Sequence, residues 1–597
     1  GFSIWNQPTA EELQARQKYQ DSVAAVTKSH AAATASTPLA GTATPSETTA
    51  ADTSAANDSI AALQLQQTFG DFSESARGDE QLFYLENEDL KITFTSKGGR
   101  VKSAQLKKYK TYNQQPLYLF EGDSTVFGLN FFAQNRTIST NTLFFSKAGQ
   151  NDSTLTLRLS AGPGKYVEYT YSIPAKGYLL GCSIRLEGLN SIIASNTNFI
   201  GLDWQQELFQ QEQSVKNERS NATVYYKYIS DDADHLSTTS SAEETLTAKS
   251  KWVSFKQQYF NVTLISDDAF EKPTHISVYQ PSEEDSVVKY MKASFTLPYD
   301  HKPSEHFGLQ FYFGPNHYQT LKRTGYGMEK IVPLGWGIFG WVNRFLVIPI
   351  FNFLNGFHLN YGLIILILTI AIKLLLLPLT YKAYISTAKM KVLKPEMEEI
   401  QAKHKDEPLK SQQELMSLYK KAGVSPFGGC LPMILQLPIL IAMFRFFPAS
   451  IELRQQSFLW AHDLSTYDSI LDLGFKIPFY GDHVSLFTIL MTISTIMYTY
   501  LNSQMTATNP QMKWMMYLMP IMFLGIFNNY SAGLSYYYFL ANMISFGQQF
   551  LFRSTVDEKA LHAKIQENKK RPQTQTKSKF QQRLEQMAKE QQSKKRK

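Results

Sequence analysis

YGLIILILTIAIKLLLLPLT, residues 361–380, is apolar over about the thickness of a hydrocarbon core, and one cation, Lys373, sits inside it. A charge at the centre of a bilayer costs about 2.5–3.5 kcal/mol on insertion scales. Snorkelling relieves only part of that. Lys373 lies nine residues before Lys382. That is about 13 Å along a helix rising about 1.5 Å per residue, and a lysine side chain reaches roughly half that distance. The apolar runs of this chain contain no Asp or Glu, so no ion pair is available within them. Snorkelling from there needs local bilayer thinning or water, and the functional reading is a water-filled groove among the spans.

Around this run the chain has two contrasting halves. It is 597 residues long with a formal charge of +7. The first half is mostly polar, and the second holds several runs of membrane length. The two cysteines, Cys182 and Cys430, fall one in each half, which excludes a disulfide framework or a CxxC metal site. No GxxxxGK[ST] loop is present to cradle a nucleotide, and no cofactor is expected.

Residues 1–80 read as the remnant of an N-terminal helix followed by a flexible tether. GFSIW, residues 1–5, has the texture of a helix end with Trp5 at the membrane interface. The Ala/Thr/Ser-rich stretch from 11 to 59 has too little apolar surface to offset chain entropy. Residues 81–325 alternate apolar and polar, as in ITFTSKGGRVKSAQL, STLTLRLSAGPGKYVEYTYSI, WVSFKQQYFNVTLIS and HFGLQFYFG. Period two with aromatic and β-branched residues predicts antiparallel strands, and this length predicts one large β-sandwich.

Residues 332–357 are apolar but interrupted by Gly, Pro, Asn343 and Arg344, which predicts an amphipathic helix lying in the interface. Five spans follow within residues 359–553, at about 359–380, 426–447, 484–503, 513–529 and 533–552. A first helix ahead of Gly1 would make six. The segment 382–425 carries Lys382, Lys389, Lys391, Lys394, Lys403, Lys405, Lys410, Lys420 and Lys421, and its pattern is two polar helices joined near Asp406–Pro408. The tail, 554–597, is also basic. The positive-inside rule puts this helical hairpin and the tail in the cytoplasm and the β domain outside, in the periplasm. Arg445, near the outer end of its span, is placed to snorkel.

The stretch SPFGGCLPMILQLPILIAMF, residues 425–444, is far less generic. With MKVLKP and ELMSLYK before it, PLT after Lys373, and LMPIMF and SAGLSYYYF in the last two spans, it resembles the YidC/Oxa/Albino membrane protein insertases. The motif residues are Gly428, Gly429, Cys430, Pro432 and Pro438. The resemblance covers the membrane half, and 81–325 is more faintly similar to the periplasmic domain of the Gram-negative branch. It implies a multidomain protein of the inner membrane: a mutarotase-like β-supersandwich outside, joined to a helical membrane bundle. Its implied function is insertion and folding of membrane proteins through a hydrophilic groove containing a cation, alone or beside the Sec translocon. The implied partners are nascent membrane proteins and the translocon, while the charge of the basic tail points to an anionic partner, the ribosome through its RNA or membrane lipids through their headgroups. Many members of that family carry arginine at the position of Lys373; lysine keeps the charge without the planar fork.

The groove set expected around Lys373 comprises Thr369, Gln436, Thr495 and Tyr538, with Thr492, Thr499, Asn542 and Ser545 as further polar groups within spans. Taken singly, hydroxyls in spans are packing glue; Thr369 and Tyr538 are singled out by the family's substrate-contact positions. Three other classes compete. Coupled transport is disfavoured by the lack of intramembrane carboxylates and of internal repeats. A sugar-acting enzyme would need an acid/base or metal set that His235, His275, His301 and His306 do not form by spacing, so the protein is not read as an enzyme. A pure assembly scaffold is not separable by sequence.

Overall fold

The computed structural model of the chain describes residues 61–405, 407–425, 431–505 and 510–570. The helix remnant, the tether as far as residue 60, Gly428, Gly429 and Cys430, and the tail beyond residue 570 lie outside the described residues. The last part of the expected tether is folded instead: Gly70–Ala76 forms a 3-10 helix whose Phe72 is buried against Phe131, an apolar anchor that the Ala/Thr/Ser-rich stretch lacks. The chain divides into two compact units, Gly1–Gln64 and Leu65–Lys597, and the β domain and the helices both belong to the second.

The alternating half is β-rich, as its period demands. Leu82–Glu86, Leu90–Thr95, Val101–Lys110 and Pro116–Tyr118 form a four-stranded sheet. A second sheet of 14 strands has Phe260–Tyr279 near its middle, paired antiparallel with Val287–Pro298 on one side and Ser304–Pro315 on the other. Leu155, Leu157 and Leu159 of TLTLRLS point inward, as do Val167, Tyr169 and Tyr171 of YVEYTYS. Both sheets feed one core, where Phe94 of the first meets Tyr171 of the second at 4.6 Å between ring centroids. The SKGGR turn works because Gly98 and Gly99 hold φ of 76° and 63°, and a side chain at 99 would meet the Phe145 ring.

The second half is helical. After a short helix α1 (Val215–Asn221) within the β domain and α2 (Tyr318–Arg323) at its end, a helix runs from Gly337 to Asn355. It consists of α3 (Gly337–Val342), a π turn (Asn343–Val347) and α4 (Ile348–Asn355). Asn343, which looked like an interruption, is buried, and its side-chain amide donates to Leu334 O (2.7 Å) and Ala442 O (2.8 Å). By length and composition this helix is apolar enough to cross a membrane, although the sequence pattern predicts an interfacial one.

The opening run does not make one straight helix. α5 (Tyr361–Leu375) and α6 (Leu377–Lys403) meet at a bend of 61°. Pro378 lies in the first turn of α6, where its ring and missing N–H prevent α5 from continuing through it. α6 thus runs unbroken into the predicted hairpin, whose second helix is α7 (Pro408–Ala422). Four more helices stand where apolar runs predict them: α8 (Leu431–Ala449), α9 (Leu486–Met505), α10 (Pro510–Asn528) and α11 (Ala532–Thr555).

Two elements were not expected. The loop after α8 contains a β-hairpin, Leu471–Ile477 with Gly481–Val484. The start of the basic tail forms α12 (Glu558–Lys570), folded against the cytoplasmic hairpin. Ile565 of α12 joins Met390, Leu393, Met397 and Leu418 in a small separate core.

Candidate functional site

Lys373 lies two residues from the end of α5, facing α11. It is 5% exposed. Its Nζ donates to Ser545 Oγ at 2.6 Å, and Ser545 donates in turn to Ala541 O at 2.8 Å. Gln548, three residues further along α11, donates to the Lys373 carbonyl at 3.4 Å. Among the described residues no carboxylate comes within 4.0 Å of the ammonium. A buried cation held by one hydroxyl is incompletely compensated, which marks a functional group more often than a packing one.

Three polar groups of α11, Tyr538, Asn542 and Ser545, are spaced as one helical stripe. Each reaches a different neighbour. Tyr538 donates to Leu440 O of α8 at 3.0 Å. Asn542 donates to Ser494 Oγ (3.1 Å) and Thr495 Oγ1 (2.8 Å) of α9. Ser545 takes Lys373 of α5. α11 therefore links Lys373, Thr495 and Tyr538 of the expected set, whereas Thr369 and Gln436 have no hydrogen bond to it among the described residues. Thr369 is fully buried and donates back to Ile365 O at 2.6 Å, and Thr492 likewise donates to Thr488 O at 2.8 Å. Gln436, on α8, and Thr499, on α9, are half-buried. Pro438 interrupts the hydrogen bonding of α8, and Pro432 lies in its first turn. Ser494 and Gln548 went unnoticed in sequence; the signal available was that each stands within one turn of a chosen residue.

A cation beside a row of hydroxyl and amide groups in an apolar bundle can hold an anionic or hydrogen-bonding segment of chain. In the β domain, His235, His275, His301 and His306 are each occupied by separate local partners: Leu236 O, Thr245, Thr197 O and Ser183. Among the described residues no group of three or more His, Cys, Asp or Glu is placed to hold a metal ion.

The β domain is tied to the helices through the loop after α8. Arg454 Nε donates to Glu212 Oε1 at 2.8 Å, with both side chains buried. Burial pushes the Glu212 carboxyl up to about 7, with Arg454 opposing. Gln455 donates to Lys110 O (3.0 Å) and Thr111 O (2.8 Å), and His317 meets Glu452 at 3.3 Å.

Apolar helices around a buried lysine, joined to a large β domain, fit the class of integral membrane proteins with an extramembrane domain. Comparison with known proteins makes this specific. Residues 83–351 match the family model of the YidC periplasmic domain, and residues 353–559 match that of the 60Kd inner membrane protein. Membrane protein insertase YidC of Parabacteroides distasonis is 43% identical, covering 99% of this chain and 95% of that one. The protein of the same name from Bacteroides fragilis is 38% identical over the same shares. Among solved structures, an active YidC insertase with its first transmembrane domain resolved is 17% identical, covering 79% of this chain and 92% of that one, with a TM-score of 0.32. A galactose mutarotase related enzyme from Lactobacillus acidophilus is 10% identical, covering 39% of this chain and 97% of that one, with a TM-score of 0.27. The chain belongs to the YidC family of membrane protein insertases and carries its periplasmic domain.

Proposed function

We propose that this chain inserts and helps fold proteins in the bacterial inner membrane through a hydrophilic groove centred on Lys373 and open to the cytoplasm. The observation that carries the reading is the Lys373 ammonium, buried among apolar helices and held by the Ser545 hydroxyl. In this reading five spans cross the bilayer: the α5 run, α8, α9, α10 and α11. The hairpin α6–α7 and the C-terminus are cytoplasmic, and Gly337–Asn355 lies in the outer interface. Lys373, with Thr369, Gln436, Thr495 and Tyr538, receives the polar part of a short substrate. The low dielectric strengthens the attraction of the cation for acidic translocated segments. The groove shortens the apolar distance that segment must cross, while the substrate's apolar helix passes between α8 and α10 into lipid. Partition into lipid supplies the driving force. The protein acts alone or beside the Sec translocon, and its basic tail docks on ribosomal RNA through salt-sensitive phosphate contacts.

Reconstituted Lys373→Leu is expected to lose insertion of substrates with charged translocated tails while retaining those with short neutral ones. Insertion of both classes at the native rate would remove the groove charge from the mechanism.

A further inference from the structure

The loop between α8 and α9 contains a β-hairpin that the insertion mechanism does not use. Its first strand, LDLGFKI, places Leu471, Leu473, Phe475 and Ile477 at alternate positions, the pattern of a strand that buries one face. Yet Leu471 is 58% exposed, Phe475 64% and Phe479, in the turn, 98%. A lone two-stranded ribbon gains little from its own pairing, so an apolar row on it needs a covering phase.

The position of the hairpin identifies that phase. Asn528, at the end of α10, donates its side-chain amide to Tyr480 O (3.1 Å) and His483 O (2.8 Å). Asn529 donates to Tyr480 O at 2.7 Å, and His483 Nε2 donates to Asn528 O at 2.8 Å. The turn is held closer still at Gly525, where an added Cβ would stand 2.8 Å from Phe479 O. Gly525 lies about 4.5 Å inside the end of α10, at about 1.5 Å per residue. The turn therefore hangs beside the last turn of α10 instead of projecting beyond it. On the same stretch α10 exposes the apolar side chains of Ile521, Met522 and Ile526.

We infer that the hairpin is a lipid anchor: Phe479 and the apolar strand lie in the interfacial layer of the phospholipid bilayer on the β-domain side, continuous with the lipid face of α10. Lys476 and Tyr480, flanking the turn, are residue types that suit that layer. The inference rests on α10 being a span.

The test uses the full chain, with Cys182→Ala and Cys430→Ser, in vesicles of phosphatidylethanolamine and phosphatidylglycerol. A spin label is attached to Phe479→Cys or, separately, to Met522→Cys, and its collisions with oxygen and with a water-soluble nickel chelate are compared. Both labels are expected to favour oxygen, the one at 479 reporting the shallower depth. If the 479 label meets the chelate as a water-exposed loop does while the 522 label favours oxygen, the anchor is overturned and the span stands. If the 522 label meets the chelate, the span reading fails and takes the anchor with it. A 479 label shielded from both reagents overturns the anchor in favour of a protein surface covering the hairpin.

Discussion

Lys373 is one of several buried cations that have no carboxylate partner among the described residues. In the β domain, Lys256 donates to Asn221 O at 2.7 Å, and Lys289 donates to Ala222 O and Thr238 O, each at 2.8 Å. Both ammonium groups thereby cap the carbonyl end of α1. Burial, with the neighbouring Lys289 charge, pushes Lys256 down to about 7, and burial pushes Lys289 down to about 8, from an ordinary 10.5. The sign follows from proton linkage. Between these values and 10.5 the unfolded chain binds the protons that the fold has released, so stability rises with pH across that window. The tryptophan-detected unfolding midpoint of the detergent-solubilised protein is expected to climb from pH 7 to pH 10. Lys256→Met should flatten the lower part of the climb; an unaltered slope would show that these lysines do not set it.

At the scale of elements, α12 changes how the basic tail is understood. The sequence pattern marks residues 554–597 only as basic, but the first part of the tail is a helix seated on the α6–α7 hairpin. Ile565 is 1% exposed in that small core, Lys569 pairs with Glu396, and Asn568 donates to Ala422 O at 3.4 Å. Few contacts hold this unit, so a single apolar loss should open it. Ile565→Asp is expected to raise amide exchange across α6 and α7 several-fold, while Lys564→Ala leaves it unchanged. The same packing sets where a tail deletion should begin. Removing residues from 571 onward tests ribosome binding by the tail, whereas removing them from Asp557 onward also strips the hairpin of its third helix.

At the scale of the whole molecule, the β domain and the helices share an apolar core, in which Trp252, Ile265 and Tyr312 join Leu334, Phe351 and Phe446, and a buried ion pair between Arg454 and Glu212. Arg454→Ala leaves Glu212 buried without its partner, a loss that typically costs about 3–5 kcal/mol. Limited proteolysis should then cut the 448–470 loop faster, and Glu212→Gln in the same chain should restore much of the protection. Much of this architecture was legible in advance. Period-two alternation marks the strands, apolar runs mark α8 to α11, and lysine-rich loops mark the hairpin, because burial on one face or in lipid constrains every residue of an element at once. The bend at Leu376 was legible in principle from Pro378, which suits the first turn of a new helix and breaks the hydrogen bonding of one already running. The hairpin at 471–484 and the docking of α12 were not, since both depend on which surfaces happen to be adjacent. Determined by the sequence alone, then, were the division into a β-rich and a helical half and the cation at position 373, which composition and local periodicity carry, and the family, which the motif residues around Gly428–Pro438 carry by resemblance. Only the tertiary structure decided what that cation touches. Ser545 is 172 residues away along the chain, and its hydroxyl reaches Lys373 because α11 packs against α5, a choice made by the fit of two helix faces that no local pattern encodes.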